Sequence, residues 1–125
     1  MSWLIAVLLA SAPPPTGVPP MLGFVDAASL SGFCTAAGDK ARDGKLVCLS
    51  YVTGAVDQLL AEQSLRTPDD RTICVPSDVT AAGVMRAVTA YAGWSKSGVG
   101  ISGASFVRYA LERAYPCDLT DTRPM

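Results

Sequence analysis

The chain has 125 residues, and its ten basic and eleven acidic side chains give a net charge of −1. This balance provides no basic surface for nucleic acid or anionic lipid, and we expect neither as a partner. The chain contains no histidine, which excludes Ser-His-Asp and Cys-His catalysis and removes the commonest general base. We therefore predict a protein that is not an enzyme and has no catalytic residues.

Residues 1–25 carry no charged side chain and include an unbroken run of apolar and small residues, Trp3–Ala12. The run is typical of a secretory signal peptide and is shorter than the about 20 residues that a membrane-spanning helix needs. A buried N-terminal helix is the alternative, but the prolines between Pro13 and Pro20 block its continuation. We predict a signal peptide and proline-rich linker over residues 1–25, with export to an oxidising compartment and no membrane contact after the leader is removed.

Two helices are predicted in the first half of the exported part. Apolar residues from Leu30 to Ala37 recur at helical spacing and predict a short first helix, for which Asp26 is a suitable N-cap. A polar turn, residues 38–44, separates it from a longer second helix over residues 45–63. The inward faces of the two helices are predicted to consist of Leu30, Phe33, Cys34, Ala37, Leu49, Val52, Val56, Leu59 and Leu60.

Two further helices follow a charged turn at residues 66–71 and a short extended segment at residues 73–76. Thr80 is predicted to cap the third helix, and Gly93 to end it. A glycine-rich loop then leads to the fourth helix, which must end before Pro116 because proline cannot continue a helix. The inward faces of these helices are predicted to consist of Val84, Val88, Tyr91, Ala92, Phe106, Val107, Ala110, Leu111 and Ala114.

The pattern as a whole indicates an all-α fold, a small disulfide-stabilised bundle of about four helices over residues 26–117, followed by a flexible tail at residues 118–125. Four cysteines lie at the edges of the helices. An even number of cysteines in a short exported chain is typical of disulfides formed in an oxidising compartment. Their spacing contains no C-x-x-C pair, so we expect no metal ion and no cofactor.

Four cysteines allow three pairings, and the order of the helices favours one of them. The first two helices are joined by a short turn and should lie antiparallel, which brings Cys34 at the end of one beside Cys48 near the start of the next. An antiparallel hairpin of the last two helices brings Cys74 beside Cys117. We predict these two disulfides, and loops of this size stabilise a fold by about 3 and about 4 kcal/mol respectively.

Three segments resemble, in their order along the chain, signatures of the Rap/Tai immunity proteins of type VI secretion systems. They are Cys48–Asp57 (CLSYVTGAVD), Ile73–Thr80 (ICVPSDVT) and Ala110–Cys117 (ALERAYPC). The resemblance implies a small, helical, disulfide-bonded periplasmic protein, commonly a homodimer, that binds a peptidoglycan-cleaving amidase effector and occludes its active site. Two features depart from the family pattern, namely Gly83, where relatives usually have glutamine, and the glycine-rich loop at residues 93–103.

Three residues are predicted to bind the partner. Trp94 either packs back over the helix ends or is exposed as a binding anchor, and we interpret it as an anchor together with Lys96 of the same loop. Tyr51, beside Gly54 on the second helix, either packs against a neighbouring helix or belongs to a dimer or partner surface. We include Tyr51 among the predicted partner-binding residues.

The sequence thus predicts a periplasmic immunity protein that binds a secreted amidase effector and protects the cell that produces it. One alternative is a periplasmic stress chaperone on the same scaffold, which would expose apolar surface on acidification. A second alternative is an enzyme, which would show turnover on peptidoglycan fragments.

Overall fold

A computed structural model describes residues 17, 21, 23–94 and 100–117 of the chain. The predicted tail and most of the predicted leader lie outside these residues. The described residues form four α-helices and two short 3-10 turns, which confirms the predicted all-α fold. The helices are α1 (Ala27–Cys34), α2 (Ala41–Ser64), α3 (Ala81–Trp94) and α4 (Gly103–Ala114).

The hydrophobic core lies between the four helices, and the long helix α2 contacts each of the other three. Each helix contributes fully buried side chains, among them Leu30 of α1, Val52 of α2, Val88 of α3 and Phe106 of α4. No helix of the described residues is both long enough and apolar enough to cross a lipid bilayer.

Four residues that the sequence placed on inward faces lie at the surface. Phe33 and Leu60 are both more than one third exposed, Ala37 is exposed beyond the end of α1, and Ala114 is exposed as the last residue of α4. The short helix α1 buries only Ala27, Leu30 and Cys34, so Phe33 lies at the edge of its buried face.

The starts of α1, α3 and α4 are stabilised by polar side chains. The predicted caps of α1 and α3 are confirmed: Asp26 Oδ1 accepts a hydrogen bond from the Ser29 amide at 2.7 Å, and Thr80 Oγ1 accepts one from the Gly83 amide at 3.1 Å. The bond from Ser29 lowers the pKa of Asp26 because it stabilises the charged carboxylate. At α4, Ser102 Oγ accepts from the Ser105 amide at 3.0 Å.

The start of α2 differs from the prediction, because Gly44 lies inside the helix and not in the preceding turn. A Cβ atom at Gly44 would clash with the Cβ of Ala36 and lie 2.8 Å from the carbonyl oxygen of Phe33. Glycine at this position therefore allows the end of α1 to approach α2 closely. The end of α3 also differs slightly, since the helix continues through Gly93 to Trp94.

The two disulfides have the predicted pairing. One joins Cys34 at the end of α1 to Cys48 in α2, and the other joins Cys74 before α3 to Cys117 after α4. The Cα atoms of each pair are 5.0 Å apart. The cysteines of the first bond are buried, whereas Cys74 is exposed and Cys117 half-buried.

A buried glutamine holds the extended segment that leads to Cys74. Gln63 is only 3% exposed, and its Oε1 atom accepts hydrogen bonds from the amides of Thr72 at 2.9 Å and Ile73 at 3.2 Å. The Cys74 amide in turn donates to the carbonyl oxygen of Tyr115 at 2.8 Å. The chain before α3 is therefore attached to α2 on one side and to the end of α4 on the other.

The start of the described domain is attached to the start of α4. The Ala27 amide donates to the Ile101 carbonyl oxygen at 3.0 Å, and the Gly103 amide donates to the Val25 carbonyl oxygen at 2.7 Å. These two bonds form a short antiparallel bridge centred on residues 26 and 102.

Candidate partner-binding surfaces

Two surfaces of the described residues combine exposed apolar side chains with features suited to binding. We call the first the Trp94 column and the second the α2–α4 groove. The Trp94 column consists of Phe106, Tyr91, Trp94 and Arg113. The α2–α4 groove is lined by Ser50, Tyr51, Gly54, Ala55, Gln58, Leu59, Glu62, Ala104, Ser105 and Arg108.

The Trp94 column connects the core to the surface through aromatic contacts. Phe106 is buried in the core, and its ring centroid lies 5.0 Å from that of Tyr91. The Tyr91 ring lies 5.7 Å from the Trp94 ring, because residues three apart in α3 lie on the same side of the helix. Trp94 itself is 60% exposed. Tyr91 and Phe106 thus connect the exposed indole to the hydrophobic core.

The guanidinium of Arg113 lies on the Trp94 ring, with its central carbon 3.9 Å from the ring centroid. This distance is that of a cation–π contact. Arg113 belongs to the last turn of α4, so the contact joins the ends of α3 and α4. Trp94 therefore combines both sequence interpretations, since it packs against a neighbouring helix and still exposes more than half of its surface.

The other residues predicted for this surface are distributed differently. Lys96 lies outside the described residues. Arg113 was not predicted, because its contact with Trp94 depends on how α3 and α4 pack and not on the sequence near either residue. Tyr51 lies on the second surface, and Trp94 is not among the residues that line it.

The α2–α4 groove has a volume of about 500 Å³. Tyr51 is half-buried at its edge, and a Cβ atom at Gly103 would lie 2.9 Å from the Tyr51 hydroxyl oxygen. The tyrosine therefore packs on the first residue of α4, which is the packing role considered for it, and its ring also lines the groove.

An apolar strip, formed by Leu46, Val47 and Tyr51, extends from the groove along α2. Leu46 and Val47, one turn before Tyr51, are both exposed and lie beside it. Gly54 is also exposed, and apart from its chain neighbours and the backbone of its own helix, no described atom lies within 4 Å of where its Cβ would be. This side of α2 is therefore apolar and open to close approach.

An ion pair lies at the opposite end of the groove. Arg108 Nη2 of α4 donates to Glu62 Oε2 of α2 at 2.7 Å. The Arg108 guanidinium lowers the pKa of Glu62 mainly through this hydrogen bond, which favours the charged carboxylate. The pair joins α2 to α4 at the surface.

In the part of the chain that the structure describes, no group of three or more His, Cys, Asp or Glu side chains is placed to hold a metal ion. Both surfaces offer apolar contacts; the Trp94 column adds a stacked cation and the α2–α4 groove an ion pair.

The fold and its two surfaces define a small, disulfide-stabilised helical protein suited to binding a partner. Residues 22–117 match the family model of the Rap1a immunity proteins, and because the match covers most of the chain, this protein belongs to that family. Members of the family are non-catalytic inhibitors, so the protein is an immunity protein and not an enzyme. No curated protein and no solved structure gives a significant match to the chain.

Proposed function

We propose that the protein binds a peptidoglycan-cleaving amidase effector of a type VI secretion system and occludes its active site. The family match and the resemblance of three segments to the Rap/Tai signatures support this function. The observation that carries the proposal is the exposed Trp94 at the end of α3. An anchor that is ordered before contact loses less entropy on binding, so a supported tryptophan favours a tight complex.

Trp94 is proposed as the central contact, and Lys96 as a second contact from the same loop. Large, rigid aromatic side chains dominate the binding energy of many protein interfaces. The indole of Trp94 contacts Tyr91 and Arg113. Its position is therefore fixed before binding, and a partner can contact its apolar surface without a further loss of side-chain entropy.

The proposed location is the periplasm, where peptidoglycan is attacked. The two disulfides support this location because such bonds persist in oxidising compartments. The signal peptide predicted within residues 1–25 would direct this export.

We also propose that two copies associate through the α2–α4 groove and the neighbouring apolar strip, so that Tyr51 lies at a homodimer interface. Leu46 and Val47 are exposed apolar side chains, and burying them against the same strip of a second copy removes both from water. Gly54 permits close approach of a second helix. A two-fold axis would bring identical strips together, as in most dimers.

Co-expression in the periplasm tests the immunity function. The probe is a type VI peptidoglycan amidase effector, expressed in the periplasm at a level that arrests growth and taken from the neighbouring gene where that gene encodes an amidase. We expect the wild-type protein to restore growth and Trp94→Ala to restore it poorly. Leu65→Ala is the matched control, because Leu65 is exposed but lies on neither surface. Growth arrest that persists beside folded, exported wild-type protein would contradict the proposal.

Light scattering after size-exclusion chromatography tests the dimer. We expect wild-type protein at twice the chain mass and Leu46→Glu at the mass of one chain, because a carboxylate in the apolar strip would be buried without a partner. Leu65→Glu places the same charge on another exposed leucine and should leave the dimer intact. A monomeric wild-type protein, or a Leu46→Glu variant that stays dimeric, would overturn the assignment.

A further inference from the structure

Two arginines of α4 lie in contrasting surroundings. Arg108 forms an ion pair with Glu62 at 2.7 Å. Arg113 lies on Trp94 and, among the residues that the structure describes, has no carboxylate within ion-pair distance. Both side chains are held in place, but only the charge of Arg108 is neutralised by a described acidic group.

The stacking on Trp94 leaves the hydrogen-bonding capacity of Arg113 largely unused. A guanidinium carries five N–H donors around its edge and no acceptor, and its flat face is what contacts an aromatic ring. The contact at 3.9 Å therefore fixes the group while leaving edge donors for another molecule. The planar fork of donors matches the two oxygens of a carboxylate.

We propose that Trp94 and Arg113 together form a binding site for an aspartate or glutamate side chain of the protein partner. Arg113 donates two parallel hydrogen bonds to the carboxylate, and the exposed part of the indole covers the neighbouring apolar atoms of the partner. The inference rests on the proposed function, since it names the chemical group of the partner that the Trp94 column binds.

The site is favoured by its preorganisation. A long arginine side chain normally loses rotamer freedom when it binds, but here its position is already restricted by the ring. The indole also excludes water from one side of the guanidinium, and a hydrogen bond between charges is stronger where water is excluded. An acidic side chain of the partner would therefore meet a cation that is ordered and partly desolvated before contact.

The test measures, by calorimetry with purified proteins, the dissociation constant of the complex between this protein and the amidase used in the co-expression test. We expect Arg113→Gln to weaken binding by about 30-fold, the loss typical of a buried interface contact. Arg113→Lys should recover only part of this loss, because an ammonium lacks the planar fork. Arg42→Gln is the matched control at an exposed arginine near the start of α2, and it should change binding by less than about twofold.

Salt separates a charge contact from a structural role of Arg113. High salt screens a carboxylate contact, so the ratio between wild type and Arg113→Gln should shrink as salt rises. A ratio that salt does not change would mean that Arg113 only positions Trp94, and this would overturn the proposed site. So would an Arg113→Gln variant that binds as tightly as wild type. A wild-type protein that does not bind the amidase would instead overturn the proposed function itself, and the site with it.

Discussion

The two disulfides lie in different surroundings, one between packed helices and the other in segments at the surface. Cys34 and Cys48 are buried within a pair of helices that pack closely through Gly44. Cys74 and Cys117 belong to irregular segments at the surface, outside the helices. The first bond therefore adds to contacts that the core already makes, whereas the second connects segments that have few buried side chains of their own.

This difference indicates which bond the fold depends on more. A disulfide stabilises mainly by restricting the unfolded chain, and the restriction grows with the length of the loop that it closes. The sequence separations are 14 residues for the first bond and 43 for the second. The longer closed loop therefore favours the second bond, although hydrogen bonds to Gln63 and Tyr115 also hold the segment before Cys74.

The largest expected effect is the loss of the second bond. Cys74→Ala with Cys117→Ala should lower the free energy of unfolding by about 4 kcal/mol, the amount expected for a loop of this size. Urea unfolding followed by circular dichroism measures it. A loss smaller than that of the first bond would contradict the comparison.

Removal of the first bond should cost less. Cys34→Ala with Cys48→Ala is expected to lower the free energy of unfolding by about 3 kcal/mol, since the closed loop is shorter. Hydrogen exchange provides a second measurement, because the amides of α1 should stay protected while its contacts with α2 remain. Exchange of α1 as fast as that of an unfolded segment would show that the core does not hold this helix.

A substitution at Gln63 tests the attachment of the segment before Cys74. Gln63→Leu leaves the part-buried amide of Thr72 and the buried amide of Ile73 without their acceptor and should lower the free energy of unfolding by about 2 kcal/mol. Gln58→Leu on the same helix replaces an exposed glutamine and serves as the control. Equal effects of the two substitutions would contradict the role assigned to Gln63.

Two glycines of α2 provide a matched test of the close packing between α1 and α2. Gly44→Ala should destabilise by about 1 kcal/mol, because overpacking against α1 exceeds the gain in helix propensity. Gly54→Ala gains the same propensity where space is open, so it should stabilise the monomeric form. Thermal unfolding compares them, and a stabilising Gly44→Ala would refute the close contact.

The smallest expected effect is the pH dependence of the Glu62–Arg108 ion pair. The folded-state pKa of Glu62 lies below its ordinary value of 4.5, so the pair stabilises the fold above that value and loses its contribution as the pH falls through the lowered pKa. The stability difference between wild type and Arg108→Gln should accordingly be small at neutral pH and vanish in acid. A stability difference between wild type and Arg108→Gln that persists in acid would instead show that the aliphatic part of Arg108 contributes by packing.

Much of the fold could be predicted from the sequence because its signals are local. Asp26 and Thr80 are caps that act within one turn, and Pro116 ends α4 wherever the helix packs. Gly44 was misinterpreted because glycine is typical of turns, whereas here it is required by contact with a helix that precedes it. That requirement depends on tertiary structure.

The candidate surfaces could be predicted only in part. Trp94 was identified because a tryptophan beside a glycine-rich loop is unusual, and Tyr51 because a glycine follows it three residues later. Arg113 and Gln63 were missed, since each acts on a distant segment of the chain, and an arginine or glutamine on a helix is ordinarily interpreted as a solvated side chain.

The bridge between residues 25–27 and 101–103 determines when folding of the domain can be completed. One of its segments starts the domain and the other leads into the last helix, so the bridge cannot form until residues 101–103 have been synthesised. Contacts between distant segments form late, because the intervening chain must first be brought together. Residues 25–27 therefore stay unpaired during synthesis, a state that would suit the proposed export.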